Sequence, residues 1–535
     1  MKGDIRLGII SNEHHRLAFA SVRRVRDQAL RILQRTFRPV IFELSNHTGK
    51  DSHEIDTAYA KFLEEVDVVF KLPGTGGFIG RRDDAVPLVL FALGSMPRGA
   101  FSLARVLPEL RNIDSLLFSC EADRQIFHRL FEKGMMNSLV IPFGVDCERF
   151  NPLRPSEQRQ ARERFGIPQK GPLLLYAGRI NVQKNIHTLL KMFQEVSRYD
   201  RPCRLYLVGD EDDTDFPEFN VTNRGYQAYL RSLAAKYNIG DRVIVLSGRW
   251  KDEDLRSLYS AADVFVNCTI HHDENFGFSQ VEAMACGTPV VCSKWGGLKD
   301  TVIHGKTGFH TETILTNNGI KVDWRSGVDA VLSLLRNPGL RTEMSKACVE
   351  HVRKNLSLDR FALNLEKAIR ETVELSRETT FVRRADSFRV HPWALKLWRR
   401  IHRIRNNPQK VPASLYAGKV YEIYRFLIEP YCSTNADNVI FCEDSVPYFL
   451  TEVELDGERK TLKVADPVWP KNYPLERWKY EILSQIDGRK TINSIYAAVK
   501  PARNQIPAKR IEALLKRFCH EGVIHFYFTS KRHTD

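Results

Sequence analysis

Two pairs of charged side chains stand where chemistry could be done. In HHDENFGFSQVEAMACGTPVV (271–291) the carboxylates Glu274 and Glu282 flank a Phe-Gly-Phe-Ser turn, followed by the small residues Ala283, Ala285 and Gly287. In YAGRINVQKN (176–185) the cations Arg179 and Lys184 follow the apolar run GPLLLY. Two cations at the end of a buried strand could clamp a diphosphate and neutralise its growing charge. A helix opening near Ser279 would point free N–H groups and a positive dipole end at the same space, which suits a phosphate. Gly277 would let that backbone come close to a ligand. Glu274 could accept hydrogen bonds from sugar hydroxyls, and Glu282, one turn into the helix, could take a ribose diol.

Each feature also has an ordinary reading. Ser279 and Glu282 spell an S-x-x-E capping box, which satisfies free amides at a helix start. That accounts for Glu282 but not for Glu274, His272 or Gly277. An Arg and a Lys are most often a solvated surface pair; their place after a buried strand favours the clamp. His271, His272 and Asp273 are too few, at the wrong spacing, for a tetrahedral metal site, so no metal is expected.

The elements that must position these residues are two runs of alternating strands and helices. IRLGII, PVIFEL, VDVVFKL, PLVLFAL, SLLFSC and LVIPFG read as buried strands, with helical patterns such as FASVRRVRDQALRILQRTF between them. The pattern restarts with GPLLLYAG, CRLYLVGD, RVIVLSG, ADVFVNC and TPVVCS, separated by HTLLKMFQEVSRY and DEDLRSLYSAA. Such alternation implies parallel sheets covered on both faces. The expected fold class is α/β: two facing, doubly wound Rossmann-like domains, with ligands at the carboxyl ends of the strands. The boundaries are 1–155 for the first domain and 156–375 for the second, which SLDRFALNLEKAIRETVEL closes as a helix. A basic amphipathic linker spans 376–436, and a small α+β domain spans 437–530.

A chain of 535 residues, 43% hydrophobic, has room for several cores. No run of eighteen apolar residues suggests a membrane span, and the polar N-terminus lacks the pattern of a secretory signal. The ten cysteines form no Cys-x-x-Cys pair, and several sit in apolar runs. That points to a reducing, cytoplasmic setting and away from a disulfide scaffold. A net charge of +15 favours polyanionic surroundings without choosing among phosphates, nucleic acid and an anionic membrane.

In order, the pieces IPFGVDCERFNP (141–152), YAGRINVQKN, LVGD (207–210), LSGRWKDEDLRSLYSAADVFVN (246–267), ENFGFSQVEAMACGTPVV and GGLKDTVIHGKTGF (296–309) resemble the retaining GT-B-fold glycosyltransferases of family four. The likeness covers 141–309 and is weaker over the first domain. It implies a nucleotide-diphosphate sugar donor, held mainly by the second domain, and no required metal or other cofactor. Glu274 and Glu282 match the family's E-x7-E pair, and Arg179 and Lys184 match its diphosphate-binding cations. Asn275 and Phe276, directly after the first glutamate, are expected to bind the donor, as are Gly277, Phe278 and Ser279, which match the loop over the phosphates. Gly248 and Arg249 fall in the loop that meets the base. The implied mechanism is departure of the diphosphate without a protein nucleophile, with the acceptor hydroxyl attacking the same face. Glu274 is the one carboxylate that could instead serve in a double displacement.

The first domain departs from the family. SNEHHR (11–16) stands in place of a Gly-rich loop, and FALGSMPRGAF (91–101) lacks the His that approaches the sugar in many relatives. His14, His15 and Arg98 are the acceptor-side candidates. GTGGFIGRR (74–82) reads equally as an acceptor loop or a mobile connection. Asp300 replaces a frequent Glu.

In the linker, Trp393, Leu397, Trp398 and Ile401 recur at helical spacing among arginines. The segment 381–410 fits a helix packed on the enzyme better than one lying in a membrane interface at the inner membrane face; nucleic acid is a weaker partner still. The last domain is similar to PqqD-like winged-helix domains, which bind an extended peptide. The function expected is retaining transfer of a hexosyl-type sugar from a nucleotide-sugar to a hydroxyl, on a peptide or protein acceptor. The alternatives are a peripheral membrane transferase of lipid-linked or surface glycans, and a non-catalytic nucleotide-sugar sensor.

Overall fold

The computed structural model describes residues 5–12, 20–72, 86–92, 110–130, 137–210, 225–271, 274–378, 392, 396, 399, 424–499 and 507–528. His14, His15, Arg98, His272, Asp273, the Gly-rich stretch 74–82 and nearly all of 381–410 lie outside the described residues.

The six apolar runs of the first domain become β1 (Leu7–Ser11), β2 (Val40–Glu43), β3 (Val68–Lys71), β4 (Leu88–Phe91), β5 (Ser115–Phe118) and β6 (Asn137–Val140). They form one parallel sheet in the order β2-β1-β3-β4-β5-β6. β1, β3, β4 and β5 are buried along their whole length, as continuous Val/Ile/Leu runs between two helical layers must be.

The second sheet holds β7 (Leu173–Ala177), β8 (Arg204–Val208), β9 (Val243–Leu246), β10 (Val264–Asn267), β11 (Val290–Ser293) and β12 (Gly308–Thr311), ordered β12-β11-β10-β7-β8-β9. All neighbours are parallel. The chain winds outward from β7 in one direction and from β10 in the other, so a topological switch point falls between those two strands. The molecule is therefore an α/β protein with two Rossmann-like parallel-sheet domains.

Two segments join the domains and lie against each other. The Val145 amide donates to the Leu356 carbonyl at 2.9 Å, and the Leu358 amide returns to Val145 at 3.0 Å. A Cβ on Gly144 would come within 2.7 Å of the Ser357 carbonyl oxygen, so only glycine permits this crossing. The closing helix, Leu358–Glu378, runs back onto the first domain. There Phe361 meets Phe91, and the Thr372 hydroxyl lies 2.7 Å from that of Ser115.

The third unit is a small α+β body. Ser445–Phe449 pairs antiparallel with Ile524–Phe528, and Val453–Asp456, Thr461–Val464 and Lys471–Pro474 form an antiparallel sheet. Helices Arg477–Leu483, Ile492–Val499 and Ala508–His520 pack with it. It is docked rather than tethered. Lys321, on the strand Gly319–Val322 of the second domain, makes a buried 2.6 Å ion pair with Asp466. The Trp324 indole donates to the Phe449 carbonyl, Arg325 to that of Gly488, and Glu452 accepts from Lys236 and Lys191.

The linker reading is only partly matched. Tyr424–Asn435, counted above as basic linker, is packed into the body of the protein, with Tyr424, Leu427, Ile428 and Tyr431 at most 1% exposed. No described helix is long and apolar enough to cross a membrane. All ten cysteines are free thiols, eight of them buried.

Candidate active site

The switch point brings the two charged pairs together. β7 leads through Gly178 into a short 3-10 turn, Val182–Lys184, where the Asn181 side chain caps the Lys184 amide. Asn185 follows with φ 56 and donates to the Cys268 carbonyl beyond β10 at 2.9 Å. That bond stitches the β7 loop to the β10 loop. Across the join the Lys184 ammonium pairs with the Glu274 carboxylate, both mostly buried. Arg179 stands half-buried on the same loop, its carbonyl fixed by the Tyr176 hydroxyl at 2.8 Å.

Gly277 opens the helix Phe278–Ala285 from φ +78. A Cβ there would meet the buried Leu298 side chain at 2.5 Å, so glycine is required for conformation and for space. The helix begins one residue earlier than the sequence suggests, and no side chain caps it. The capping box expected of Ser279 and Glu282 is therefore not formed. Ser279 sits on the first turn, half-buried, among backbone amides that have no partner within the helix. Asn275 is half-buried beside it. Phe276, expected to touch a donor, is only 1% exposed and packs edge-on against Phe143 and Phe278. It wedges the loop in place instead of presenting a face to ligand. The Asp210 carboxylate of LVGD accepts from the Gly248 amide at 2.7 Å, shaping the exposed loop that carries Arg249.

Glu282 is 3% exposed and has two partners. Tyr259 donates to one oxygen at 3.1 Å, and Arg24, from the first-domain helix Ala20–Phe37, reaches the other at 2.5 Å. Burial pushes the Glu282 carboxyl up, while Arg24 and Tyr259 pull against it. Arg24 also lies 3.7 Å from Asp252, which Arg149 holds at 2.5 Å. This charged seam lines an interdomain cavity of about 870 Å³, which Gly144 and Leu358 of the two crossing segments also line. Sequence reasoning missed Arg24; the only signal was the RRVR cluster, and nothing local says which domain it faces. Among the described residues no cluster of His, Cys, Asp or Glu could hold a metal ion.

Two facing Rossmann-like domains, with a cation–carboxylate pair and a glycine-opened helix at the second sheet's switch point, define a two-domain architecture of the GT-B type. Residues 157–351 match the family model described as glycosyl transferases group 1. Among curated proteins the chain is similar to a D-inositol 3-phosphate glycosyltransferase of Geodermatophilus obscurus, 31% identical over 49% of this chain and 58% of that one. It is also similar to that of Xylanimonas cellulosilytica, 29% identical over 43% and 51%. A mannosylfructose-phosphate synthase of Agrobacterium fabrum is 32% identical over 31% and 35%. The chain thus spans roughly half the length of the curated relatives it matches. In three dimensions it resembles Anabaena HepE, solved in complex with UDP, with TM-score 0.52 and 17% identity over 69% of this chain and 100% of that one. The sucrose-phosphate synthase of Thermosynechococcus elongatus gives 0.51 and 20% over 68% and 99%. These likenesses show the fold.

Proposed function

We propose that the protein is a retaining glycosyltransferase that moves a sugar from a nucleoside-diphosphate donor to an acceptor hydroxyl. The observation that carries the reading is the Lys184–Glu274 pair at the switch point, beside Arg179 and the helix opened by Gly277. A cation paired with a carboxylate can exchange that partner for a diphosphate. The freed carboxylate then meets sugar hydroxyls. The relatives and the UDP-bound neighbour support a nucleotide-sugar as donor.

In this reading the bond between the anomeric carbon and the diphosphate oxygen breaks first. Arg179, Lys184 and the helix amides take up the negative charge on the departing diphosphate. The acceptor oxygen bonds to the same face of the anomeric carbon, and its proton passes to the departing diphosphate oxygen. Glu274 orients the sugar. Glu282 takes the ribose diol, for which it must release Arg24. The finer assignment of the third unit is a PqqD-like domain presenting a peptide or protein acceptor; its docking on the second domain would hold that acceptor in a fixed place.

The test is donor turnover. Full-length protein is screened against UDP- and GDP-sugars for release of free nucleotide, with and without candidate acceptors. Release that falls about a hundredfold or more in Glu274→Ala fits the reading. A protein that binds these donors but releases nothing with any acceptor is a sensor.

A further inference from the structure

The segment Tyr424–Asn435 does something the linker reading did not foresee. It crosses from the first domain to the second along the back of the Glu274 loop. At its start, the carbonyl of Phe426 accepts from Arg129 of the first-domain helix Glu121–Leu130, and Glu429 pairs with Arg129 at 2.9 Å. At its end, Thr434 and Asn435 form a short strand that pairs parallel with β13 (Thr313–Thr316) of the second domain. Ser433 exchanges bonds with Thr313 there.

Between these anchors lies Tyr431, 0% exposed. Its hydroxyl donates to Asp123, a buried residue of the first-domain helix. Its ring stands edge-on to the buried Trp295 of the second domain at 5.2 Å. Its carbonyl accepts from the Gly296 amide at 3.0 Å. Lys299 donates to the flanking Pro430 carbonyl at 2.6 Å. The next amide, Gly297, donates to the Glu274 carbonyl at 2.9 Å. Gly296 stands at φ +47, and a Cβ on it would lie 2.5 Å from the Glu274 oxygen and 2.7 Å from the Tyr431 ring. No side chain fits between them. Tyr431, the Gly296–Gly297 turn and the Glu274 backbone are therefore stacked in direct contact.

We infer that Tyr424–Asn435 is a strap binding both Rossmann-like domains, and that Tyr431 is a positioning residue that fixes Glu274 through the Trp295–Gly297 turn. The strap would hold the two domains at one separation on this flank. On the same flank Asp300 of the second domain accepts from the Glu121 amide of the first at 2.8 Å. Separation of the domains is then restrained on this flank by the strap and by the Glu121–Asp300 bond together. Tyr431's part in catalysis rests on the glycosyl-transfer reading; its hold on the turn does not.

The experiment is paired hydrogen exchange and kinetics on the full-length protein, comparing the parent with Tyr431→Phe and Tyr431→Ala. The Phe variant keeps the ring and loses only the bond to Asp123, so it remains a test if the Ala variant folds poorly. Peptides covering 294–300 should exchange about tenfold faster in the Ala variant and a few-fold faster in the Phe variant. Peptides from β7 and β8 should be unchanged. UDP-glucose and GDP-mannose serve as donor probes. For whichever turns over, kcat should fall about tenfold with KM within about twofold, and the Phe variant should recover most of the loss. Unchanged exchange over 294–300 in both variants overturns the strap. Faster exchange with unchanged kcat overturns the positioning role. A parent that turns over no donor, with exchange responding as expected, upholds the strap and sinks the glycosyl-transfer reading instead.

Discussion

Replacing Asp466 by Asn should undo the docking of the third unit. Asp466 and Lys321 are each 4% exposed at the side chain and lie 2.6 Å apart. The ammonium also stands over the Trp469 ring, 4.7 Å from its centre. Burial pushes the Asp466 carboxyl up, but the Lys321 and nearby His187 charges outweigh it and hold the pKa at about 2. The Asn variant keeps an acceptor for the Val468 and Trp469 amides, which Asp466 Oδ1 now caps at 2.8 and 2.9 Å. It leaves the Lys321 charge buried without its partner, which costs about 3–5 kcal/mol. By calorimetry the unit formed by the second and third domains should melt on the order of 10 °C lower. The double variant Lys321→Met/Asp466→Leu should return to within about 1–2 kcal/mol of the parent, since apolar side chains of similar size can replace a buried pair. The pH dependence has a fixed sign. A carboxylate depressed in the folded state stabilises above its unfolded pKa near 3.8 and loses that stabilisation as pH falls toward about 2. The contribution at neutral pH is about 2 kcal/mol. An Asn variant melting within about 2 °C of the parent would refute the reasoning.

Three further outcomes follow from the geometry. Gly277→Ala adds a Cβ at φ +78 against Leu298; stability should fall by roughly 1–3 kcal/mol and donor turnover by at least about tenfold, read by urea titration and nucleotide release. Arg24→Ala removes the side chain that pairs with Glu282. UDP should then bind about threefold tighter by calorimetry, a modest gain because the Arg24 side chain is 37% exposed; weaker binding would contradict the assignment of Glu282 to the ribose. His187 and His310 are both held by burial at about 4. The unfolded chain takes up their protons first, so stability should decline as pH drops from about 6.5 to about 4, and His187→Gln should flatten that slope in a pH series of denaturant titrations.

Much of the fold was legible because its strands are buried on both faces. Runs such as LLLYA and VVFK carry no alternation to confuse them, and all six first-domain runs became strands. β12, Gly308–Thr311, was not foreseen, since GFHT lacks an apolar run. Lys184, Glu274 and Gly277 were legible because a loop between a buried strand and a helix constrains residue type locally. For Glu282 the ordinary capping-box reading stood beside the ribose reading, and its partner Arg24, 258 residues away, was not legible. The strap hid inside a segment judged by its arginines. Yet Tyr424, Leu427, Ile428 and Tyr431 recur at i, i+3, i+4 and i+7, the spacing of a buried helical face. Charge drew attention away from a periodicity that was present. What the pattern could not supply is the other surface, two domains distant in sequence.

The central claim is that a nucleoside diphosphate binds between the Arg179/Lys184 loop and the helix opened by Gly277. Calorimetric titration of the full-length protein with UDP and GDP, repeated on Arg179→Glu/Lys184→Glu, tests it most directly. The account predicts saturable binding of at least one nucleotide to the parent, weakened about a hundredfold or more by the double charge reversal. Equal affinity in the two proteins would contradict it.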